Sequence, residues 1–412
     1  MRNNNFQLST FNFQLRKFTE RIIESIFTAS GAITSIAILL IVVFLFREGL
    51  GLFSSPSVEK GYALYVNSRN TADHLTVTEI KKIFDGEITN WQDLGGGGEE
   101  IMIFRFEEIF NLYQDEELGE GYALLPEKLG HVIVENPNII AYLPQQYAPT
   151  NVAGIKTLPM QNINIADFFG GREWLPTATP APLFGVLPLI LGTLLVSIAA
   201  ILIALPLGLG VAIYLSELAQ ERVRKLMKPT IELLAGIPSV VYGFFGLVVL
   251  VPIVQKIFNL PVGETAFTGS LILAIMALPT IITVAEDAMR NTPRAMREAS
   301  LALGATHWQT IYKVVVPYSA SGISAAVVLG IGRAIGETMA VLMVTGNAAI
   351  MPHSLFEPIR TIPATVAAEL GEAPSGGAHY QSLFLLGCIL FVITMVVSIS
   401  AEVIGKRRRT EN

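Results

Sequence analysis

The sequence predicts an α-helical integral membrane protein with six transmembrane helices and a small α/β insert outside the membrane. Hydrophobic residues make up 51% of the 412 residues and charged residues only 15%, against about 25% charged in an average soluble domain. Several apolar runs reach the ~20 residues that a helix needs to cross ~30 Å of hydrocarbon. Between the first two runs lies a polar, acidic stretch that is too long for an ordinary loop.

The composition also excludes several classes of protein. Intrinsic disorder requires low hydrophobicity and high net charge, and this chain has neither. The single cysteine, Cys388, excludes a disulfide framework and a multi-cysteine metal site. The five histidines lack the paired spacing of a zinc site, so no metal and no cofactor is expected.

Six apolar runs qualify as transmembrane helices, and only the fifth is interrupted, by Arg333 and Glu337. Their approximate bounds are Ser25–Phe46, Val186–Leu215, Leu233–Gln255, Thr265–Ala285, Val314–Asn347 and Leu383–Ala401. The chain is therefore divided into an N-terminal segment with the first helix, an acidic insert, a five-helix core and a basic tail. These parts cover 1–46, 47–182, 183–405 and 406–412.

The distribution of lysine and arginine predicts the orientation, because these residues accumulate on the cytoplasmic side. The segments 1–24, 217–232, 286–313 and 402–412 hold sixteen of them, whereas the two short loops on the opposite side hold only Lys256 and Arg360. Both termini are therefore predicted to be cytoplasmic and 47–182 extracytoplasmic. A cleaved signal peptide is the alternative for the first run, but the preceding segment is too long and no small-x-small cleavage site follows.

The third inner loop, 286–317, carries signals for two short helices. Thr292 is a candidate N-cap, Pro293 suits the first helical position, and Gly304 can adopt the left-handed conformation that ends a helix. Thr306 and Gln309 have capping-box spacing at the start of a second helix. The sequence thus predicts a short, rigid protrusion, which passes force to a cytoplasmic partner or is an ordinary solvated hairpin.

This loop resembles the signature loop of ABC importer permeases. It reads Glu298-Ala299-Ser300, then Gly304, then Val314-Val315-Val316-Pro317, with the family's spacing of Glu-Ala-Ala, Gly and Ile-x-Leu-Pro. The resemblance implies that Glu298, Ala299, Gly304 and Pro317 belong to a coupling element that docks into a cleft of an ATPase subunit. No Walker A pattern occurs in the sequence, so ATP and Mg²⁺ are expected to be used by partner subunits and not by this chain.

Arg333 and Glu337 are charges inside an apolar run, where each costs ~2.5–3.5 kcal/mol on insertion scales. Their i, i+4 spacing predicts that one helix face carries both, within reach of each other. Gly330, Gly332 and Gly336 are expected to keep that surface thin, so that a helix or solute approaches closely. An arginine fork suits an oxyanion in a transport pathway; the alternative is a structural ion pair.

The stretches Gly330–Val341 and Gly236–Gly246 resemble the permeases of phosphate ABC importers, and Met-Ala-Val after Thr338 is typical of the PstC type. The resemblance covers about 183–405 and implies an ABC importer permease fold with Arg333 and Glu337 in the translocation path. It also implies a bacterial inner-membrane location and three kinds of partner protein besides the lipid bilayer, with no nucleic acid. These are a homologous PstA-type permease, two ATPase subunits and a soluble phosphate-binding protein.

The acidic insert is predicted to be a small α/β domain. Buried strands are expected at Tyr62–Val66, Glu100–Phe104 and Ile139–Tyr142, with a helix capped by Thr76 and Glu79. Leu75–Gly95 and Asn136–Tyr142 resemble one lobe of the soluble phosphate-binding proteins. Arg105-Phe-Glu-Glu108, however, stands where that family has an Arg-x-x-Ser-Gly-Thr-like loop. The insert is therefore expected not to bind phosphate alone, and to dock the binding protein, cap the outer gate or act as a spacer.

Together these patterns indicate the permease subunit of an ATP-driven phosphate importer that works by alternating access. Two alternatives stay open at this point. One is an importer of another oxyanion, such as sulfate or molybdate. The other is a membrane receptor or sensor, which has no need of the Glu298–Pro317 spacing.

Overall fold

The computed structural model describes residues 2–410 except 57, 59, 60, 150, 160 and 161, and only the backbone of 2–19, 401, 402 and 404–410. The side chains of the predicted basic tail, 406–412, lie outside this description. The described residues form a bundle of long helices and a smaller α/β lobe. Five helices are long and apolar enough to cross a membrane, and a bent pair supplies a sixth candidate.

The first helix, α1 (Arg2–Leu50), contains the first predicted span and continues beyond it at both ends. Its apolar side chains, from Ile22 to Phe44, are largely exposed. It packs against the C-terminal helix of the bundle. A helix that is apolar all round and unburied within its own chain is expected to face lipid.

The lobe follows α1, and its described residues form four α-helices and six strands. The helices are α2 (Val77–Phe84), α3 (Ile109–Leu112), α4 (Leu125–Glu135) and α5 (Ile165–Gly170). The strands are β1 (Tyr62–Asn67), β2 (Met102–Arg105), β3 (Ile139–Pro144), β4 (Ile155–Thr157), β5 (Trp174–Leu175) and β6 (Leu183–Phe184). The predicted α/β fold and the Thr76–Glu79 capping box are confirmed.

A four-stranded mixed sheet in the order β2-β3-β1-β4 lies at the centre of the lobe. Strand β3 is parallel to β2 and antiparallel to β1, and β1 is also antiparallel to β4. Since successive side chains point to opposite faces, Leu64 and Val66 pack on the α2 side, whereas Ala63 and Tyr65 pack on the α4 side. The lobe therefore has its own two-sided core.

The base of the lobe shares a second core with the bundle. Leu52, Phe168 and Trp174 from the lobe side lie in one buried cluster with Leu189 and Leu386 of the bundle. The two-stranded sheet of β5 and β6 leads directly into the second long helix. The lobe is thus packed onto the bundle and is not held by a bare tether.

The bundle and its loops contain twelve further helices within the described residues. They are α6 (Leu187–Ile213), α7 (Glu221–Ala235), α8 (Ser239–Phe245), α9 (Val251–Phe258), α10 (Ala266–Arg290), α11 (Arg294–Ala302), α12 (His307–Thr310), α13 (Val316–Tyr318), α14 (Ala320–Gly336), α15 (Met339–Val344), α16 (Ile362–Glu369) and α17 (Ala378–Thr410). Single π-helical turns extend three of them, at Tyr214–Leu218, Gly246–Leu250 and Ile311–Val315. Helix α10 lies at the centre, packed against α6, α14 and α7.

Two predicted spans differ from the structure. The third begins at Ser239 and not at Leu233, because Pro238 has extended ψ of 142° and separates it from α7. The fifth is not one helix: its two halves meet at a 70° bend between Tyr318 and Ala320. It ends at Gly336, after which Glu337 is extended. Proline and glycine at these breaks weaken the helical hydrogen-bond ladder, which explains why a long apolar run does not form one helix.

Candidate functional site

Arg333 lies in the last turn of α14, and its side chain is directed to α10. Its Nη1 donates a hydrogen bond to Oγ1 of Thr280 at 3.2 Å, and its side chain is half-buried. Among the described residues it forms no ion pair. The guanidinium therefore keeps most of its five donors for other acceptors.

Glu337 does not pair with Arg333, and the prediction that one helix face carries both is wrong. Because α14 ends at Gly336, Glu337 adopts an extended conformation with ψ of 133°. Its Oε1 instead accepts the backbone N–H of Ala340 at 3.4 Å, at the start of α15. A carboxylate at a helix N-terminus satisfies a free backbone donor there. The alternative of a structural ion pair is not supported by this geometry.

The three glycines near Arg333 have different surroundings. A Cβ on Gly330 would lie 2.9 Å from Cγ1 of Ile281, so this glycine permits close packing of α14 on α10. A Cβ on Gly332 or Gly336 would meet nothing within 4 Å. The surface beside the arginine is therefore closed by a helix at one glycine and open at the other two.

The two stretches that resemble phosphate permeases meet in space. A Cβ on Gly243 would lie 3.0 Å from the Cα of Ala340, and one on Gly246 would lie 2.8 Å from Cγ1 of Val344. These contacts bring the third span against α15, directly after Glu337. The small residues allow this close approach of helices.

The inner loop folds largely as predicted. Helix α11 is followed by Gly304 with a left-handed φ of +85°, and Thr306 and Gln309 form the expected capping box of α12. Thr292, however, is not the N-cap. Pro293 takes that position with ψ of 135° instead of the first helical position, and the Thr292 hydroxyl has no hydrogen-bond partner among the described residues.

The tip of this loop exposes apolar side chains. Leu303 is 89% exposed and Trp308 is 60% exposed. Glu298 and Ala299 lie on the exposed surface of α11, which buries none of its side chains. An exposed apolar patch of this kind is typical of a contact surface for another protein. Pro317, the last residue of the loop motif, lies in α13 just before the 70° bend.

A polar junction behind the loop was not predicted from the sequence. Nη2 of Arg297, on α11, lies 2.8 Å from Oε1 of Glu217 at the end of the second span. Nearby, the buried Glu286 of α10 pairs with Lys228 of α7 at 2.8 Å. The partners are 80 and 58 residues apart in the chain, so no local pattern connects them. The sequence signal for these pairs was that Glu217 and Glu286 each directly follow an apolar run.

A second polar junction lies at the base of the lobe, around Glu369. Its carboxylate accepts Nη1 of Arg360 at 2.6 Å, contacts Nε2 of His379 at 2.9 Å and accepts Nε1 of Trp174 at 3.0 Å. Burial raises the pKa of Glu369, but hydrogen bonds from His379 and Trp174 and the charge of Arg360 outweigh it, and the pKa is lowered. The junction therefore connects the lobe, the loop before α16 and the C-terminal helix α17.

Comparison with known proteins finds a matching transport family and relatives that are named as permeases. The family model described as "Binding-protein-dependent transport system inner membrane component" matches residues 204–410, which excludes the lobe. A "Probable ABC transporter permease protein YqgH" of Bacillus subtilis is 39% identical over 63% of this chain and 83% of its own length. A "Phosphate transport system permease protein PstC" of Pasteurella multocida is 39% identical over 59% and 81%. That of Mesorhizobium japonicum is 41% identical over 56% and 75%.

Proposed function

Because the chain belongs to the family of binding-protein-dependent transport system inner membrane components, we propose that it is the permease subunit of a phosphate importer. In this proposal the chain spans the bacterial cytoplasmic membrane several times, with both termini inside, and translocates inorganic phosphate by alternating access. ATP hydrolysis by separate subunits drives the cycle. The resemblance to relatives named phosphate transport permeases, at 39% and 41% identity, supports the choice of substrate.

The observation that carries the proposal is the position of Arg333 inside the bundle without an ion-pair partner among the described residues. Its guanidinium is held by the Thr280 hydroxyl inside an apolar bundle, and no carboxylate among the described residues neutralises it. A planar fork of N–H donors matches two oxygens of a tetrahedral oxyanion. Open surface at Gly332 and Gly336 leaves room for such a solute beside it. Arg333 is therefore proposed to contact the substrate. Glu337 is proposed to stabilise the helix break after Gly336, which positions Arg333.

Sulfate and molybdate have a similar shape, so the fork alone does not choose among oxyanions. The relatives named for phosphate favour phosphate. A receptor or sensor is not favoured, because it has no need of the Glu298–Pro317 spacing, which includes Ala299 and Gly304. We propose that the apolar tip around Leu303 inserts into that ATPase.

The partners follow from the same proposal. A homologous PstA-type permease completes the membrane part, two ATPase subunits use ATP and Mg²⁺, and a soluble phosphate-binding protein delivers the substrate from outside. The chain itself is proposed to bind no cofactor and to catalyse no hydrolysis, since its sequence has no Walker A pattern.

We propose that the lobe is extracytoplasmic and docks the binding protein. It exposes the apolar side chains of Phe110, Leu112, Tyr122 and Leu124, and the rings of Phe110 and Tyr122 are in contact; it is also strongly acidic. Binding of phosphate by the lobe alone is not favoured, because the carboxylates of Glu107 and Glu108 follow Arg105 in the chain and would repel a dianion. The shared core at its base supports a docking element over a loose spacer.

The test is transport by the reconstituted complex. The chain is co-expressed with its second permease and ATPase subunits, placed in proteoliposomes and supplied with the binding protein and radiolabelled phosphate. Uptake is expected to require both ATP and the binding protein, and excess unlabelled phosphate should compete whereas sulfate and molybdate should not. Equal competition by sulfate or molybdate would transfer the proposal to another oxyanion, and absence of ATP-dependent uptake would contradict it.

A further inference from the structure

One guanidinium connects the inner loop to two membrane helices. Nη1 of Arg297, on α11, donates to the carbonyl of Thr292 at 2.7 Å, and Nη2 donates to the carbonyl of Met289, in the last turn of α10, at 2.9 Å. The same Nη2 also donates to Oε1 of Glu217, in the π-helical turn that ends the second span, at 2.8 Å. Three separate segments therefore share one side chain.

The surroundings of this contact distinguish it from an exposed ion pair of the same face. The side chains of Arg297 and Glu217 are 21% and 11% exposed. The ion pair between Lys225 and Glu221, on α7, has both side chains more than 70% exposed. Exposed pairs contribute little to geometry, whereas a half-buried fork with several acceptors fixes distance and angle.

Helix α10 leads from this junction to the pathway arginine. Met289 and Thr280 lie nine residues apart on that helix, which corresponds to ~14 Å along its axis. Thr280 holds Nη1 of Arg333. Between them, the buried Glu286 of α10 binds Lys228 of α7. A displacement of α10 at its Met289 end therefore also displaces Thr280, the residue that orients Arg333.

We infer that Arg297 is the positioning residue that makes the α11 helix and the α10 span move as one body, so that ATPase-driven motion reaches Arg333. This inference rests on the proposed function. Without the fork, α11 would still bind the ATPase through its exposed surface, but its motion would no longer be passed to α10. ATP would then be hydrolysed with little phosphate transported.

The test measures phosphate uptake and ATP hydrolysis in the same proteoliposomes. Arg297→Gln is expected to leave complex yield and ATP hydrolysis near those of the unaltered complex while phosphate transported per ATP falls roughly tenfold, in the usual range of coupling between sites. Arg297→Lys keeps one donor group but not the fork and should lose less. The control is Arg222→Gln, which removes an exposed arginine of the same face and should keep the ratio.

If Arg297 had a purely structural role, its replacement would lower the complex yield or reduce phosphate uptake and ATP hydrolysis in parallel. Loss of assembly in both Arg297 variants, or an unchanged ratio of phosphate to ATP in them, would overturn the inference. Failure of the proposed function is recognised separately, because the unaltered complex would then take up no phosphate. The expected result is normal phosphate uptake by the unaltered complex and a lower ratio of phosphate to ATP in the Arg297→Gln variant.

Discussion

Trp174 and Glu369 are joined by a hydrogen bond from Nε1 to Oε2 of 3.0 Å across the boundary between the lobe and the helical bundle. Glu369 is also held by Arg360 and His379, so one carboxylate fastens three segments at the base of the lobe. The lobe is therefore fixed to one end of the helical bundle and is not a free module.

Glu369→Gln is expected to lower the free energy of unfolding by about 2–3 kcal/mol, because it leaves the half-buried Arg360 without its counter-charge. The measurement is thermal unfolding of the purified protein in detergent. The control is Glu372→Gln, three residues away on the exposed surface, which should unfold like the unaltered chain. Equal melting temperatures for the two variants would contradict this role of Glu369.

The lowered pKa of Glu369 also predicts a pH dependence. A carboxylate with a lower pKa in the folded than in the unfolded state stabilises the fold above its unfolded pKa, about 4.3 for glutamate, and loses this contribution as pH falls through the folded pKa. Acidification from pH 6 should therefore destabilise the unaltered chain more than Glu369→Gln. Parallel loss of stability in both would show that Glu369 does not contribute.

The upper part of the lobe should be removable without loss of the bundle. The N–H of Ile163 donates to the carbonyl of Ser55 at 3.2 Å, so a short flexible linker can replace residues 57–161. The complex should assemble, and uptake should fall because the binding protein engages poorly. Raising the concentration of that protein should restore transport. An unchanged concentration dependence would favour the spacer alternative.

Gly304→Val should abolish transport, because the left-handed φ of +85° disfavours a β-branched residue. No neighbouring atom lies within 4 Å of a Cβ at this position, so the effect is due to backbone conformation and not to a clash. Gly304→Asn is the matched control, since asparagine tolerates this conformation, and should retain most uptake. Normal uptake by the valine variant, measured beside co-purification of the ATPase, would exclude a coupling role.

The orientation can be tested with cysteines introduced into a Cys388→Ser background. Ser68 lies on the exposed surface of the lobe, and the exposed Arg222 lies in the first turn of α7, in a segment predicted to be cytoplasmic. A membrane-impermeant thiol reagent should label Ser68→Cys in intact cells and Arg222→Cys only after permeabilisation. Labelling of both in sealed cells would contradict the orientation predicted from the positive charges.

Much of the fold was predictable because it depends on local patterns. Apolar runs of sufficient length gave the long helices, and the capping boxes at Thr76 and Thr306 gave two helix starts. The left-handed turn at Gly304 followed from the same kind of signal. Each depends on residues within a few positions, and local stereochemistry decides the outcome.

The break of the fifth span was not predictable in this way. The i, i+4 spacing predicted one helix face for Arg333 and Glu337, but α14 ends at Gly336, between them, and Ala340 and Val344 after the break pack against the third span. The partners of Arg333, Arg297 and Glu369 come from distant parts of the chain. Sequence spacing carries no information about such contacts, so Thr280, Glu217 and Trp174 could not be assigned in advance.

The most direct test of the account is phosphate uptake by complexes that carry changes at Arg333 and Glu337. Arg333→Gln should abolish uptake with the complex still assembled, and Arg333→Lys should retain little, because a point charge replaces a fork. Glu337→Gln should change uptake less. Since the two residues form no ion pair, the double variant with both neutralised should be as inactive as Arg333→Gln. Full uptake by that double variant would show that neither charge is needed in the pathway.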